Sequence, residues 1–254
     1  MIENHDAPPR SMESLQDSHW WWRGMRYLYT SALDRSLKTL ASRRRLIEVG
    51  CGYGANLATL GKYGDVVGLD ASLDALRAIK TRPALGLVQA HADALPFRAG
   101  TFDVVALLAV IEHVEHHEVA LEESYRVSRP NAIQLLLTSA FMLLWSHHDV
   151  ANEHHRRYRR GALNRLLNGA QWHKTYTSYI NMMIFPAVAA VRFLQRRSEP
   201  TESSIYDMGP TFGPLNPLLE AILKLEAWLV TALRIRLPFG VDLFSVARRD
   251  PNDK

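Results

Sequence analysis

The chain places carboxylates around a glycine turn near its start. Leu46-Ile47-Glu48-Val49-Gly50-Cys51-Gly52-Tyr53-Gly54-Ala55-Asn56 is a short apolar run ending in an acid, then glycines at alternate positions, then helix-forming residues. Small residues let backbone N–H groups approach a ligand closely, and a helix start favours negative charge there. A nucleotide-like ligand is the natural occupant. Gly50, Gly52 and Ala55 satisfy the dinucleotide spacing, and Asp70 stands where a ribose-binding acid belongs, about 20 residues on. Glu48 points elsewhere, because its carboxylate would repel a pyrophosphate and attract an ammonium or sulfonium. Gly54 opens the turn more than two phosphates need. A second group, His147-His148-Asp149 followed by Glu153-His154-His155-Arg156-Arg157-Tyr158, carries bases, acids and cations together. It lacks zinc-type spacing, and no metal is expected.

These residues need a frame. Residues 1–13 are polar, contain Pro8-Pro9 and are expected to be a disordered tail, with 14–254 forming a single domain. In 14–41 a helix begins with Trp20, Trp21 and Trp22, followed by Arg23 and Arg26. Neighbouring indoles on a helix point about 100° apart, so they cannot all face one core. Either two of them pack into the core and one anchors at the surface, or the segment is a lid, with Trp22 near a ligand cation and Arg26 near a ligand carboxylate.

Further along, strand patterns at Asp65–Asp70, Leu85–His91, Thr101–Leu108 and Ile133–Thr138 alternate with helical ones at Leu73–Lys80 and Glu112–Val127. That alternation predicts a parallel sheet covered on both faces, with ligands at the carboxyl ends of its strands. Residues 45–138 are thus the cofactor-binding core. Residues 139–237 read as a substrate-side loop and helical elaboration, with helices near Gly161–Asn168, Asn181–Arg197 and Leu218–Arg236 and a strand at Trp172–Tyr179. A final strand lies in 239–248.

The glycine turn, an acid, one residue and then G-x-G-x-G, resembles the first motif of class I S-adenosylmethionine (SAM) dependent methyltransferases. Asp70, Ala92-Asp93-Ala94-Leu95-Pro96-Phe97, Phe102-Asp103-Val104-Val105 and Glu112-His113-Val114 follow in that family's order. The likeness is strong over Arg45–Thr138, looser over His19–Arg26 and Trp145–Leu163, and closest to quinone-biosynthesis-type enzymes. It implies an α/β, Rossmann-like, seven-stranded, mostly parallel sheet with helices on both faces, its last strand antiparallel, with a helical insertion before that strand. It also implies SAM as cofactor. Asp70 and Ala71 would meet the ribose, Asp93, Ala94 and Leu95 the adenine, and Gly50, Cys51 and Gly52 the methionine moiety. Glu48 would attract the ammonium, and Leu108 and Ala109 would end a strand beside the methyl group.

Methyl transfer is mainly alignment, and a base matters only when the nucleophile must lose a proton. His113, His148 and Tyr158 are the candidates, with Asp149 and His154 nearby. One departure from the family's usual R-V-L-K-P-G-G is Arg126-Val127-Ser128-Arg129-Pro130-Asn131-Ala132. Asn131 can adopt a left-handed conformation, but Ala132 cannot do so cheaply, so this turn is expected to be altered or strained.

The expected acceptor is a small-molecule, quinone-like, glycan or lipid-linked compound methylated on oxygen or carbon, less readily on nitrogen. The alternatives are a silent SAM-binding or regulatory module and an NAD-dependent oxidoreductase. No N/D-P-P-Y/F tetrapeptide occurs and Cys51 lies in the glycine turn, so nucleic acid is not expected as substrate. One cysteine and no recognisable leader fit the cytoplasm, as a monomer or homodimer. The late apolar helices are expected to pack onto the sheet or each other, the rival reading being a greasy pocket or peripheral membrane contact helped by Arg192, Arg196, Arg197, Arg234 and Arg236.

Overall fold

Continuous apolar runs become the central strands of one sheet, as strands covered on both faces should. The computed structural model describes residues 16, 19–37, 44–79, 86–195 and 213–252. The expected tail at 1–13, Arg196 and Arg197 lie outside them. Helix α1 (Trp20–Ser36) leads to β1 (Arg44–Val49), α2 (Leu57–Leu60), β2 (Gly64–Asp70), α3 (Leu73–Ala78) and β3 (Gly86–Gln89). Then come β4 (Phe102–Leu108), α4 (His117–Val127), β5 (Ser128–Ser139), α5 (His147–Ala151), α6 (Arg160–Gly169) and β6 (His173–Ile180). Helices α7 (Phe185–Gln195) and α8 (Asn216–Thr231) precede β7 (Asp242–Arg248).

The sheet order is β3-β2-β1-β4-β5-β7-β6. Strands β1 to β5 pair in parallel, and β7 runs antiparallel between β5 and β6. This is the expected Rossmann-like arrangement, including the antiparallel last strand and the helices inserted before it. Both faces are covered. Gln134 on β5 donates to Ser124 of α4 at 2.8 Å. Gln134 pairs with Ala247, an odd number of positions from Phe244, whose ring meets Tyr29 of α1 on the opposite face.

Helix α1 starts where His19 Nδ1 accepts from Trp21 N, and it buries Met25, Leu28, Tyr29, Ala32 and Leu33. It packs along α8 so closely that a Cβ on Gly24 would lie 2.7 Å from Leu223 Cβ. Two expectations change. Glu112-His113-Val114 forms a turn before α4, which begins only at His117. Asn131 takes the left-handed conformation alone (φ 65°), and Ala132 continues β5 with no positive φ, so no strain arises there.

Candidate cofactor and acceptor site

The carboxyl ends of β1 and β2 form a cradle from main-chain groups. Gly50 N and Cys51 N both donate to Leu69 O, at 2.7 and 2.9 Å, which ties the turn to β2. Asp70 Oδ2 accepts from Gly52 N at 2.7 Å and Oδ1 from Ser72 N at 2.9 Å. Each carboxylate oxygen keeps further acceptor capacity for a ligand hydroxyl. Gly50 (φ 71°) is packed, since a Cβ there would meet Val110 Cγ2 at 2.5 Å, whereas one on Gly52 would meet nothing within 4 Å. The turn is therefore closed beneath and open above. Ala71, next to Asp70, is exposed. The Cys51 thiol is buried against β2, and burial pushes its pKa up, so only its backbone can face a ligand. Glu48 is also buried and accepts from Asn56 Nδ2 at 2.8 Å.

The Ala92–Phe97 loop is clamped from α4, which the sequence reading missed. Arg126 donates to Phe97 O (2.7 Å) and Leu95 O (2.9 Å) while pairing with Glu123 at 2.6 Å, and Glu123 accepts from Leu95 N at 2.9 Å. Leu95 N is thus committed, and its side chain is core. Ala94 N donates to His91 O at 3.2 Å, so its expected role toward adenine requires exchanging that contact. Asp93 remains half-buried on the loop. The i,i+3 spacing of Glu123 and Arg126 was the available signal for the clamp.

Trp22 and Arg26 do not form a detached lid. Arg26 Nη1 donates to Gln16 O at 2.9 Å, and the Trp22 ring meets Trp21 edge-on at 5.0 Å. Trp22 Nε1 is buried with no hydrogen-bond partner. Below them Tyr29 is buried within electrostatic reach of Glu48 and Asp242, and burial first, then those acids, raise its pKa.

The other end of the same edge is made of side chains. Buried Glu112 accepts from Thr138 Oγ1 at 2.8 Å and from Ser139 N at 3.2 Å. Asp149, fully buried, accepts from His154 Nδ1 (2.8 Å), Arg157 Nε (2.7 Å) and Ser146 N (2.9 Å). Burial alone would raise its pKa, but these bonds hold it well below the carboxylate range. The His113 and His154 rings meet edge-on at 4.5 Å, and burial lowers the His113 pKa. Donor atoms of Glu112, His113 and His154 lie within 4.8 Å of one another. The Glu112 carboxylate and His154 Nδ1 already serve internal hydrogen bonds, which makes this cluster a latch.

The proposed bases separate here. Tyr158 is buried, donates to Ile111 O at 3.1 Å and bonds His117 Nδ1, and burial raises its pKa. It braces the turn from below and offers no free hydroxyl. Burial, then Arg192, lowers His148 to about 4, so it is neutral near pH 7. His113 lies at the edge, where the residue reaches solvent while its ring packs against His154.

Asp242 was missed by the sequence reading. It sits opposite Ser139 at the end of β5 and accepts from Asn181 Nδ2 at 2.7 Å. Burial pushes it up to about 6, against the hydrogen bond from Asn181 that lowers it. Its signal was a lone acid opening an apolar final strand. Next to this edge Phe141 stacks on Tyr179 at 4.7 Å, and Phe185 meets Phe239 at 5.2 Å. Ala109, Phe141 and Asn181, just past β4, β5 and β6, all have φ near +60°. Three left-handed non-glycine residues thus follow the ends of strands along one edge of the sheet.

Comparison with known proteins agrees with this geometry. A family model described as a methyltransferase domain matches residues 47–136. A probable S-adenosylmethionine-dependent methyltransferase of Mycolicibacterium smegmatis is 29% identical over 133 residues, 51% of this chain and 49% of that protein. The ubiquinone/menaquinone biosynthesis C-methyltransferase UbiE of Syntrophotalea carbinolica is 35% identical over 106 residues, 39% of this chain and 45% of that protein. Over residues 47–136 the chain is thus similar to class I SAM-dependent methyltransferases. Its matches span about half the length of these relatives. Among solved structures, a SAM-dependent methyltransferase from Mesorhizobium loti has a TM-score of 0.56 at 16% identity, covering 92% of this chain and 99% of that one. The cyclase SpnF has a TM-score of 0.57 at 14% identity, covering 91% and 82%. Both show the fold.

SAM fits this cradle. The open space above Gly52 and the Asp70 carboxylate with acceptor capacity to spare suit an adenosyl compound bearing an amino-acid tail. Gly50 and Gly52 would hold the methionine part and Asp70 the ribose hydroxyls. The Arg126-clamped loop would hold the adenine. SAM, when bound, supplies a methyl group activated by a positive sulfur with a neutral leaving group. Methyl transfer would then require this chain's own residues to align an acceptor atom, exclude water and, for a hydroxyl or activated carbon, take a proton.

Proposed function

We propose that this chain transfers a methyl group from SAM to an oxygen or carbon nucleophile of a small-molecule or lipid-linked acceptor. The observation that carries this reading is a single strand edge with two complementary ends. The backbone cradle over Gly52 and Asp70 lies at one, and the half-buried carboxylate of Asp242 beside the Phe141–Tyr179 aromatic pair lies at the other. An aromatic wall suits a ring or polyprenyl-type acceptor, and UbiE among the matched relatives supports an acceptor of quinone type. Asp242, raised to about 6, is poised to take a proton near neutral pH, with His113 as the other basic group on the rim.

Calorimetry with SAM and S-adenosylhomocysteine tests the donor half. Asp70→Ala should weaken both by about tenfold or more, the scale of a lost charged hydrogen-bond acceptor. Unchanged affinity removes Asp70 from the site, and NADH binding in place of SAM defeats the donor assignment. A panel of quinols, phenols and lipid-linked sugars, read as S-adenosylhomocysteine release, tests the acceptor half. Tight SAM binding with no release across the panel makes the domain a silent SAM-binding module.

A further inference from the structure

Helices α7 and α8 carry apolar residues on their outward sides as well as toward the core. A surface helix normally turns its apolar stripe to the core and its charges to water. In α7 the outward positions are Ala187, Ala190, Val191 and Leu194, with Leu194 66% exposed. The helix's single cation, Arg192, turns inward instead, donating to Ser146 Oγ at 2.5 Å and lying 3.6 Å from Asp149. In α8 the outward row is Leu218, Ala221, Leu225 and Trp228, spaced as one helical stripe. Its Glu226 is buried, accepting from Met182 N and Met183 N at 2.9 and 3.2 Å. Its Glu220 is held by Arg23 at 3.0 Å and Lys224 at 2.5 Å.

Glu226 thus ties the backbone just ahead of α7 to α8, which sets the start of α7 beside that helix. Past α8, Leu233-Arg234-Ile235-Arg236 and Phe239 are likewise all exposed. Across α7, α8 and residues 232–240 no carboxylate is exposed. An apolar patch this extensive on a single chain is an interaction surface. Its charge selects the occupant. Apolar and indole side chains flanked by unanswered arginines fit the interface of an anionic bilayer, where arginine and tryptophan sit at headgroup depth. A second copy fits poorly, because two-fold pairing through this face would set arginine against arginine with no exposed acid of α7, α8 or residues 232–240 to answer. No helix among the described residues is long and apolar enough to cross a membrane.

We infer that α7, α8 and the Arg234–Phe239 segment form a docking face for an anionic phospholipid surface, with the acceptor end of the site opening beside it. The neighbourhood is direct. Phe185 begins α7 and meets Phe141, which stacks on Tyr179 at the strand edge. The docking itself does not depend on methyl transfer, while the placement of a lipid-linked acceptor rests on the proposed function.

Co-sedimentation of the full chain with vesicles tests it. With vesicles of equal parts phosphatidylglycerol and phosphatidylcholine at low salt, the chain should pellet, and pure phosphatidylcholine should hold it about tenfold more weakly. The double variant Arg234→Glu/Arg236→Glu should lose about tenfold or more on the anionic vesicles, since each basic residue near such a surface contributes measurably. Leu225→Glu and Leu194→Glu should lose binding to a similar degree. All these positions are exposed, so thermal midpoint and SAM affinity should stay at the wild-type values, which separates lost docking from lost fold or lost cofactor. Absence of pelleting on anionic vesicles overturns the inference. So does a wild-type dimer in sedimentation velocity that Leu225→Glu dissociates while vesicle binding is unaffected.

Discussion

At the β1–β2 end of the strand edge the shape is set by main-chain amides tied internally to Asp70 and to Leu69 O. At the β5–β7 end it is set by side chains, and the loop beyond β5 is held by charges buried below it. Asp149 alone gathers His154, Arg157 and Ser146, and Arg157 passes a further bond to Ala140 O at 3.1 Å. One end owes its shape to backbone conformation, the other to a buried ionic knot. A backbone cradle recognises a constant cofactor with few specific side chains. A side-chain rim can change its acceptor by substitution without disturbing the cradle. The contrast predicts that the two ends break in different ways.

The largest effect belongs to the knot. Asp149→Ala leaves Arg157, nearly fully buried, facing an uncompensated site, and losing one partner of a buried pair costs about 3–5 kcal/mol. The thermal midpoint should fall by roughly 6 °C or more for a chain of this size. SAM affinity measured below the transition should change far less than stability does. A variant that unfolds normally but loses SAM would show that the two ends are one unit.

Next comes the cradle. Gly50→Ala forces a Cβ to 2.5 Å from Val110 Cγ2 at a φ of 71°, combining overpacking with a left-handed penalty. Together these are worth about 2–4 kcal/mol. Gly52→Ala meets no atom within 4 Å, so only the left-handed penalty of about 1–2 kcal/mol applies to stability. Its methyl group projects into the space assigned to SAM, and so Gly52→Ala should lose more affinity per degree of lost stability than Gly50→Ala. Equal ratios would place SAM elsewhere.

The cradle was legible in the chain because its determinants lie within a few residues of one another. An apolar run, an acid, alternate glycines and a second acid at the next strand end are all local, and the sheet follows from the alternation of patterns. The β5–β7 end was only half legible. His154 and Arg157 could be flagged as chemically able, yet their convergence on Asp149 depends on how a loop folds back. Asp242 could not be connected to Asn181, which lies 61 positions away. Tyr158 carried a catalytic side chain but proved to be a brace, since nothing local shows that Ile111 O and His117 take up its hydroxyl. The outward apolar stripes of α7 and α8 had the same spacing that core packing would give, and periodicity alone does not tell which way a stripe points.

Acid titration sharpens the comparison within the acceptor end. Asp242 is raised to about 6, so its protonated form is favoured in the folded chain. Its contribution to stability is fully present below the unfolded carboxylate value of about 4 and is lost as pH rises through 6. His148 is lowered to about 4, so its neutral form is favoured when folded, and its contribution is lost as pH falls from about 6.5 through 4. Between those limits the two groups oppose each other. Asp242→Asn should therefore make the chain lose stability more steeply on acidification, and His148→Gln less steeply, in thermal melts between pH 4 and 6.5. Identical slopes for both variants and the wild type would mean that neither site is desolvated.

The smallest effect should come from the far end of the strands. Arg129 reaches Asp103 at 3.0 Å with both side chains partly exposed, and Asp103 also accepts from Arg45 N at 2.8 Å. Solvent screens such a pair to about 1 kcal/mol or less. Arg129→Ala leaves Asp103 hydrated and still bonded to Arg45 N, so no buried charge is stranded. The midpoint should shift by about 3 °C at most, with SAM affinity unchanged. A larger loss would mean that the bulge pairing Phe102 with Ser128 ahead of Val104 with Ile133 relies on this ion pair, and that the sheet's amino-terminal edge, like its β5–β7 rim, is held by charge.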